Sequence, residues 1–221
     1  MPSQKNSKAN PPAQPFVLAI TGASGAVYGL RLLQFLSEIE QPVELLISQA
    51  ALQVMREEND LAFGANLKSE LCNSLKLPAS APIFVNQLNN YGANIASGSY
   101  KTRGMAIVPC SLGTLGAVAN GLTENLVHRA AQVCLKERRP LLLLLREMPF
   151  GQIQLKNMLA VSEAGGIVAC ASPGFYHRPK TVQDQIDFVV GRVLDQFEFD
   201  NSLFKRWLQE ARPLAKAEQP E

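Results

Sequence analysis

Five segments of this chain mix small hydroxyl residues, glycines and single charges in a way suited to holding a phosphate. They are Thr21-Gly22-Ala23-Ser24-Gly25, the lone Ser48, Pro109-Cys110-Ser111-Leu112-Gly113-Thr114, Arg146-Glu147-Met148-Pro149 and Ser172-Pro173-Gly174-Phe175-Tyr176-His177. Each directly follows a short apolar run. Small residues let the backbone approach an anion, and amides at a helix start carry the positive end of its dipole. One such loop is equally well a turn with a helix cap. Several on the same edge point to a ligand, because parallel α/β sheets bind ligands beyond the carboxyl ends of their strands.

Charged side chains add a second layer. Arg146-Glu147 directly follows the apolar run Leu141 to Leu145, which places a charged pair at the expected ligand edge. Arg129, Lys136 and Arg192 lie on separate elements, and each alone is also an ordinary helix flank, dipole partner or snorkelling stem. Glu57 and Glu58 close a predicted helix, where negative charge opposes the macrodipole, and solvated surface explains them equally. His128 and His177 are the only histidines, which excludes a His-pair mechanism and a His-rich metal site. Cys110 has no histidine adjoining it in sequence, so a small buried packing thiol is favoured over a nucleophile.

The first loop comes near the Thr-Gly-x-x-x-Gly-x-Gly turn of short-chain dehydrogenases, but Ala26 and Tyr28 stand where that pattern needs glycine. The second strand ends in Ser48, with no acid for a ribose hydroxyl. Pro179 interrupts the formal Tyr176/Lys180 pair and disfavours the helix that would align it. A mononucleotide with one phosphate fits better than NAD.

These loops need elements to position them. Strands are predicted at Phe16 to Ile20, Val43 to Ile47, Ile83 to Val85, Met105 to Val108, Leu141 to Leu145 (a central buried strand) and Ile167 to Ala171. Helices are predicted between them. The first carries Leu32, Leu36 and Ile39, and the next runs from about Gln49 to Glu58. Another has Leu126, Ala130, Val133 and Cys134 on one face and ends in a cationic turn before Pro140. Two more are Ile153 to Ser162 and a helix opened by a Thr181 to Asp184 capping box, with apolar face Val182, Ile186, Val189, Val193 and Phe197. A short last helix is expected around Leu203 to Glu210. Asp60 to Lys101, broken by Gly64, Pro78, Pro82, Gly92 and Gly98, is the least regular stretch. The expected fold is a three-layer, doubly wound α/β domain with a mostly parallel sheet of five or six strands.

Composition agrees with one such domain. The 221 residues are 47% hydrophobic, and 21 Lys+Arg against 19 Asp+Glu leave a net charge of +2. That balance gives no electrostatic footprint for nucleic acid or anionic membrane. The apolar run Leu141 to Leu145 falls far short of a membrane span. Residues 1–15 read as a disordered tail without a secretory signal, and 212–221 as a polar tail. Cys72, Cys110, Cys134 and Cys170 are widely spaced without a CxxC pair, which argues against zinc and disulfides and for a reducing cytoplasm.

One family shows these features together. Ile20-Thr21-Gly22-Ala23-Ser24-Gly25-Ala26 with Tyr28-Gly29, Ser97-Gly98-Ser99, Pro109-Cys110-Ser111, Leu135-Lys136-Glu137-Arg138-Arg139-Pro140-Leu141, Arg146-Glu147 and Pro173-Gly174-Phe175-Tyr176-His177-Arg178-Pro179 resemble, in order and spacing, the flavin prenyltransferases, or UbiX-like proteins. The resemblance runs from about Phe16 to Trp207 and implies a Rossmann-like flavoprotein domain over 16–211. It implies transfer of the dimethylallyl group of dimethylallyl monophosphate to N5 and C6 of reduced FMN. The product, prenylated FMN, would serve a UbiD-type decarboxylase of ubiquinone or aromatic acid metabolism. It also implies a homo-oligomer, commonly a dodecamer, with the site shared between subunits.

By the same resemblance Gly22, Ala23, Ser24, Ser48, Ser111, Leu112, Gly113, Thr114 and Arg129 would hold FMN, and Ser97 and Gly98 would flank its reacting side. Lys136, Arg146, Tyr176 and Arg192 would bind the allylic phosphate. Glu147 would exchange a proton as phosphate departs, and Glu58 would assist ring closure, with Ser24 beside them. Asp184, Asp187 and Asp195 do not form the aspartate cluster that recruits magnesium in diphosphate-ionising terpenoid enzymes, so no metal is expected. An FMN-dependent cysteine decarboxylase is the nearest rival, but Phe150-Gly151 follows Pro149 where a Met-Asn signature belongs, and no histidine precedes His128. A non-catalytic flavin carrier is a second rival, against which Glu58, Glu147 and the phosphate-binding cations argue.

Overall fold

Six runs of four to seven residues become the strands β1 (Phe16–Ile20), β2 (Val43–Ile47), β3 (Ile83–Asn86), β4 (Gly104–Cys110), β5 (Leu141–Leu145) and β6 (Ile167–Cys170). The computed structural model, which describes residues 13–207, pairs them in the order β3-β2-β1-β4-β5-β6, every pair parallel. Parallel neighbours need crossovers. These are built from α1 (Ala26–Glu38), α2 (Gln49–Asn59), α3 (Leu67–Ser74), α4 (Leu112–Ala119), α5 (Leu126–Lys136) and α6 (Gln152–Glu163), with α7 (Val182–Asp195) following β6. Strand order reverses between β1 and β4, so the loops after these two strands flank the switch point where ligands bind.

Every residue of β1, β2, β4 and β5 is buried, as in a sheet covered on both faces. Alternate residues feed opposite cores. Phe16, Leu18 and Ile20 pack with Leu33 and Leu36 of α1 and Val190 of α7, whereas Val17 and Ala19 join the core of Val127 and Ala131 of α5. Gly29 brings α1 onto the sheet, since a Cβ there would run into the Val108 carbonyl oxygen and the Ile20 side chain. Backbone cannot yield cheaply. Gly29→Ala is therefore expected to cost about 2–3 kcal/mol, read as a thermal midpoint lower by roughly 5–10 °C.

Glu44 is a carboxylate on a fully buried strand, 7% exposed. It accepts hydrogen bonds from Tyr100 Oη at 2.8 Å and Asn86 Nδ2 at 2.7 Å, which ties the irregular segment before β4 to β2. Burial, with help from Glu44, pushes the Tyr100 hydroxyl up to about 12.

The sheet is wholly parallel rather than mostly so. β5 lies between β4 and edge strand β6, not at the centre of the order, though it is fully buried as expected. The predicted last helix fails over 203–207, which are irregular; 208–210 lie outside the described residues. Side chains hold that segment instead, with Phe204 packed on Phe188 and Arg206 paired with Asp195 at 2.7 Å. Val182, placed on the buried face of α7, is 72% exposed because it opens the first turn, and Phe197 lies past the helix end, packed edge-on against Phe16.

Candidate functional site

The loops after β1 and β4 are stitched together by Thr21. Its Oγ1 donates to the Pro109 carbonyl at 2.9 Å and accepts from the Ser111 N–H at 2.8 Å, while its own N–H reaches Pro109 O at 3.1 Å. Ser111 then caps α4: its Oγ accepts from Thr114 N–H at 3.2 Å and donates to Thr114 Oγ1 at 3.0 Å. Leu112 and Gly113 supply first-turn amides, which have no intrahelical acceptor. A Cβ on Gly113 would meet nothing within 4 Å, so this helix end faces open space.

Ser48 caps α2 in the same way, accepting from Ala51 N–H at 3.1 Å. Gly22 lies against Ala50 so closely that a Cβ would collide with it. Gly25 precedes α1 with φ 95°, a conformation that favours glycine, and gives the helix no side-chain cap. Three helix starts thus gather around Gly22, Ala23, Ser24 and Gly25. Amides and hydroxyls of this kind, positive by dipole, fit the phosphate of FMN.

The charged residues close on the same loop. Glu58, at the end of α2, accepts the Gly25 N–H at 2.8 Å, and Arg146 Nε donates to the Ser24 carbonyl at 3.3 Å. Burial pushes the Tyr28 hydroxyl up, and the nearby Arg146 charge opposes that shift. Glu147 accepts from the Met148 N–H at 3.0 Å. Ser24, Glu58, Arg146 and Glu147 therefore belong to one edge of the sheet.

Ser97, Gly98 and Lys136 form a second group. α5 ends at Lys136 just before β5 begins, whereas Arg146 follows the last residue of β5, about 16 Å of strand away. A Cβ on Gly98 would run into the Glu137 carboxylate, and Glu137 pairs with Lys136 Nζ at 3.2 Å. Arg139 donates to the carbonyls of Gly98 and, at 2.7 Å, Tyr100. Ser97 Oγ lies 2.9 Å from Ser99 Oγ, and Arg129 Nε donates to the Ala96 carbonyl at 3.0 Å.

Tyr176 and Arg192 form a third group beside β6. Tyr176 packs edge-on against Phe188 and Trp207. Arg192 pairs with Asp195 at 2.8 Å and lines a cavity of about 240 Å³ between β5, β6 and α7. Burial raises the Asp195 carboxyl, but hydrogen bonds from Arg206 and Asn201 and the charges of Arg206 and Arg192 together hold it below its ordinary range. Within one chain, the three cations expected to bind the phosphate, Lys136, Arg146 and Arg192, are thus divided among three places.

Other candidates resolve as packing. Cys110 is buried and its thiol is pushed far up, and burial raises Cys134 to about 12 despite Arg139, so neither supplies a thiolate near neutral pH. In the native protein a thiol reagent is expected to label exposed Cys170 well before buried Cys72, Cys110 and Cys134, as peptide mapping would show. Burial lowers His128, against the raising charge of Glu124, and His177 stacks on Phe188. Among the described residues no three of His, Cys, Asp and Glu gather to hold a metal, and no helix is long and apolar enough to cross a membrane. The sequence placed Thr21 in the first loop and Arg139 in the basic turn without giving either a role of its own. Only the hydroxyl at the end of β1 hinted at the first, and the second was one cation in a basic turn.

A model of the family described as Flavoprotein matches residues 4–194. Flavin prenyltransferase UbiX of Aquifex aeolicus is 44% identical over 196 residues, 88% of this chain and 98% of that one. Among solved structures, AnUbiX in complex with FMN and dimethylallyl pyrophosphate gives a TM-score of 0.79 at 36% identity, covering 88% of this chain and 97% of that one. A dodecameric FMN-dependent UbiX-like decarboxylase from Escherichia coli O157:H7 gives 0.77 at 37%, covering 87% and 98%.

Proposed function

Because this chain belongs to the flavin prenyltransferases of the flavoprotein family, we propose that it transfers the dimethylallyl group of dimethylallyl monophosphate to N5 and C6 of reduced FMN. The observation that carries the site assignment is the meeting of Arg146 and Glu58 on the Ser24-Gly25 turn, a cation and a carboxylate bonded to adjacent residues of the phosphate-type loop. Reduced FMN supplies the electron-rich ring system that takes up the allyl group. Gly22, Ala23, Ser24, Ser48 and Ser111 to Thr114 would hold it through amides and hydroxyls.

Phosphate leaving an allylic carbon gains negative charge, which fixed cations stabilise without reorganising. Arg146 is suited to this, because its Nε is anchored on Ser24 while its Nη groups make no hydrogen bond among the described residues. Glu147, next in sequence, exchanges a proton with the departing phosphate. Glu58 receives one during ring closure. With a monophosphate, Arg and Lys replace the magnesium that a diphosphate usually recruits.

A second copy of the chain would bring Ser97, Gly98, Arg129 and Lys136 to this edge, with Tyr176 and Arg192 completing the phosphate site. Exposed Met148, Ile153, Leu155 and Leu159 offer apolar surface beside Glu147 for such packing. The proposed assembly is a homo-oligomer, with a dodecamer the first expectation given the E. coli relative. The proposed domain spans 16–211, the proposed location is the cytoplasm, and the proposed recipient of prenylated FMN is a UbiD-type decarboxylase.

Anaerobic incubation of the protein with reduced FMN and dimethylallyl monophosphate, followed by mass spectrometry of the flavin, tests the reaction. A gain of one isoprene unit, undiminished by EDTA, is expected. Unmodified flavin from folded, FMN-loaded protein would overturn the reading, and turnover restored only by magnesium would overturn metal independence.

A further inference from the structure

The cation at the end of α5 is already engaged. Lys136 Nζ lies 3.2 Å from Glu137 Oε1, and the carboxylate is seated over Gly98 where no other residue leaves room. Arg139 fixes that seat by binding the carbonyls of Gly98 and Tyr100, and Tyr100 is anchored in turn by buried Glu44. Arg139 is thus occupied in holding backbone, and Lys136 is the cation of this turn paired with a carboxylate, whose place a phosphate oxygen would have to take.

We propose that Glu137 is a positioning residue that acts as the resident counter-ion of Lys136: incoming phosphate displaces it, and it recaptures the ammonium when phosphate leaves. This rests on the assignment of Lys136 to the phosphate. The carboxylate lowers phosphate affinity in two ways, by neutralising the ammonium and by repelling the phosphate itself. It also limits retention of the phosphate product. With side chains 54% and 37% exposed, the Lys136–Glu137 pair is screened, so the effect is modest.

The test uses the full-length protein loaded with oxidised FMN, whose electron-poor ring cannot take up the allyl group, and titrates the allylic phosphate and inorganic phosphate by calorimetry. Glu137→Gln is expected to tighten both by about three- to fivefold. In turnover, its KM and its inhibition constant for inorganic phosphate should fall together while kcat does not rise. Lys136→Met is expected to weaken both ligands by about tenfold or more. Glu137→Ala repeats the measurement should the glutamine variant assemble poorly. Unchanged or weaker phosphate binding in folded Glu137 variants, with Lys136→Met still weak, overturns the counter-ion role alone. Unaltered binding in Lys136→Met overturns the assignment of Lys136 and the inference with it.

Discussion

Glu147→Gln is expected to slow prenyl transfer by about 100- to 10,000-fold while FMN binding stays within a factor of two or three of the parent. Glutamine keeps the length of the side chain and an Oε1 acceptor for the Met148 N–H, the 3.0 Å contact that shapes the turn after β5. What it loses is the capacity to carry a proton beside Arg146. Loss of rate with retained flavin would therefore report proton transfer rather than disturbed structure. Anaerobic turnover followed by flavin mass spectrometry gives the rate, and quenching of flavin fluorescence gives the affinity. A variant that prenylates at more than a third of the parental rate would remove Glu147 from the chemistry, and undiminished activation of a decarboxylase by unprenylated flavin would instead support a carrier.

Thr21→Val should damage both stability and flavin affinity, although Thr21 touches no assigned charge. Valine has nearly the same shape but supplies no partner for the Ser111 N–H, now bonded at 2.8 Å. The Pro109 carbonyl would keep the Thr21 backbone amide at 3.1 Å, so the main penalty is one orphaned amide, about 1–3 kcal/mol. Ser111 is also the cap that sets the start of α4. Its displacement should weaken FMN by about tenfold or more, since 1.4 kcal/mol of lost orientation is already tenfold. Chemical denaturation and flavin titration check the two effects, and Thr21→Ser should restore most of each. Parental flavin affinity in the valine variant would show that the Thr21 bridge does not shape the cradle.

Strands were the most legible part of the chain. The boundaries of β1, β2 and β5 agree with expectation because each is a short run buried on both faces, apolar but for Glu44 of β2, and bounded by a turn or Pro. α3 and α4 were not anticipated. α4 (LGTLGAVA) carries two glycines and a short, nearly all-apolar pattern without a polar face, whereas α3 buries only Leu71 and Cys72. That the loops after β1, β2 and β4 gather at one edge was legible from residue type and strand position alone. What remained hidden depends on distance across the fold: Thr21 spans 90 positions to Ser111, and Arg139 spans 41 to Gly98. The family likeness implied a site shared between subunits, but not that Lys136, Arg146 and Arg192 would lie in three separate places of one chain.

That division has a consequence for symmetry. Ser24, Glu58 and Arg146 lie where the strands end, and Gly98 and Lys136 where they begin. A site that joins these regions from two chains is formed either twice across a two-fold axis, each chain giving its strand-end half to one site and its strand-start half to the other, or once per junction around a closed ring. In either arrangement every subunit gives its strand-end half to one site and its strand-start half to another. Two inactive variants, one altered at Glu147 and one at Lys136, would then regain part of the lost activity when dissociated and reassembled together, because some sites in the mixed assembly would pair an intact half with an intact half.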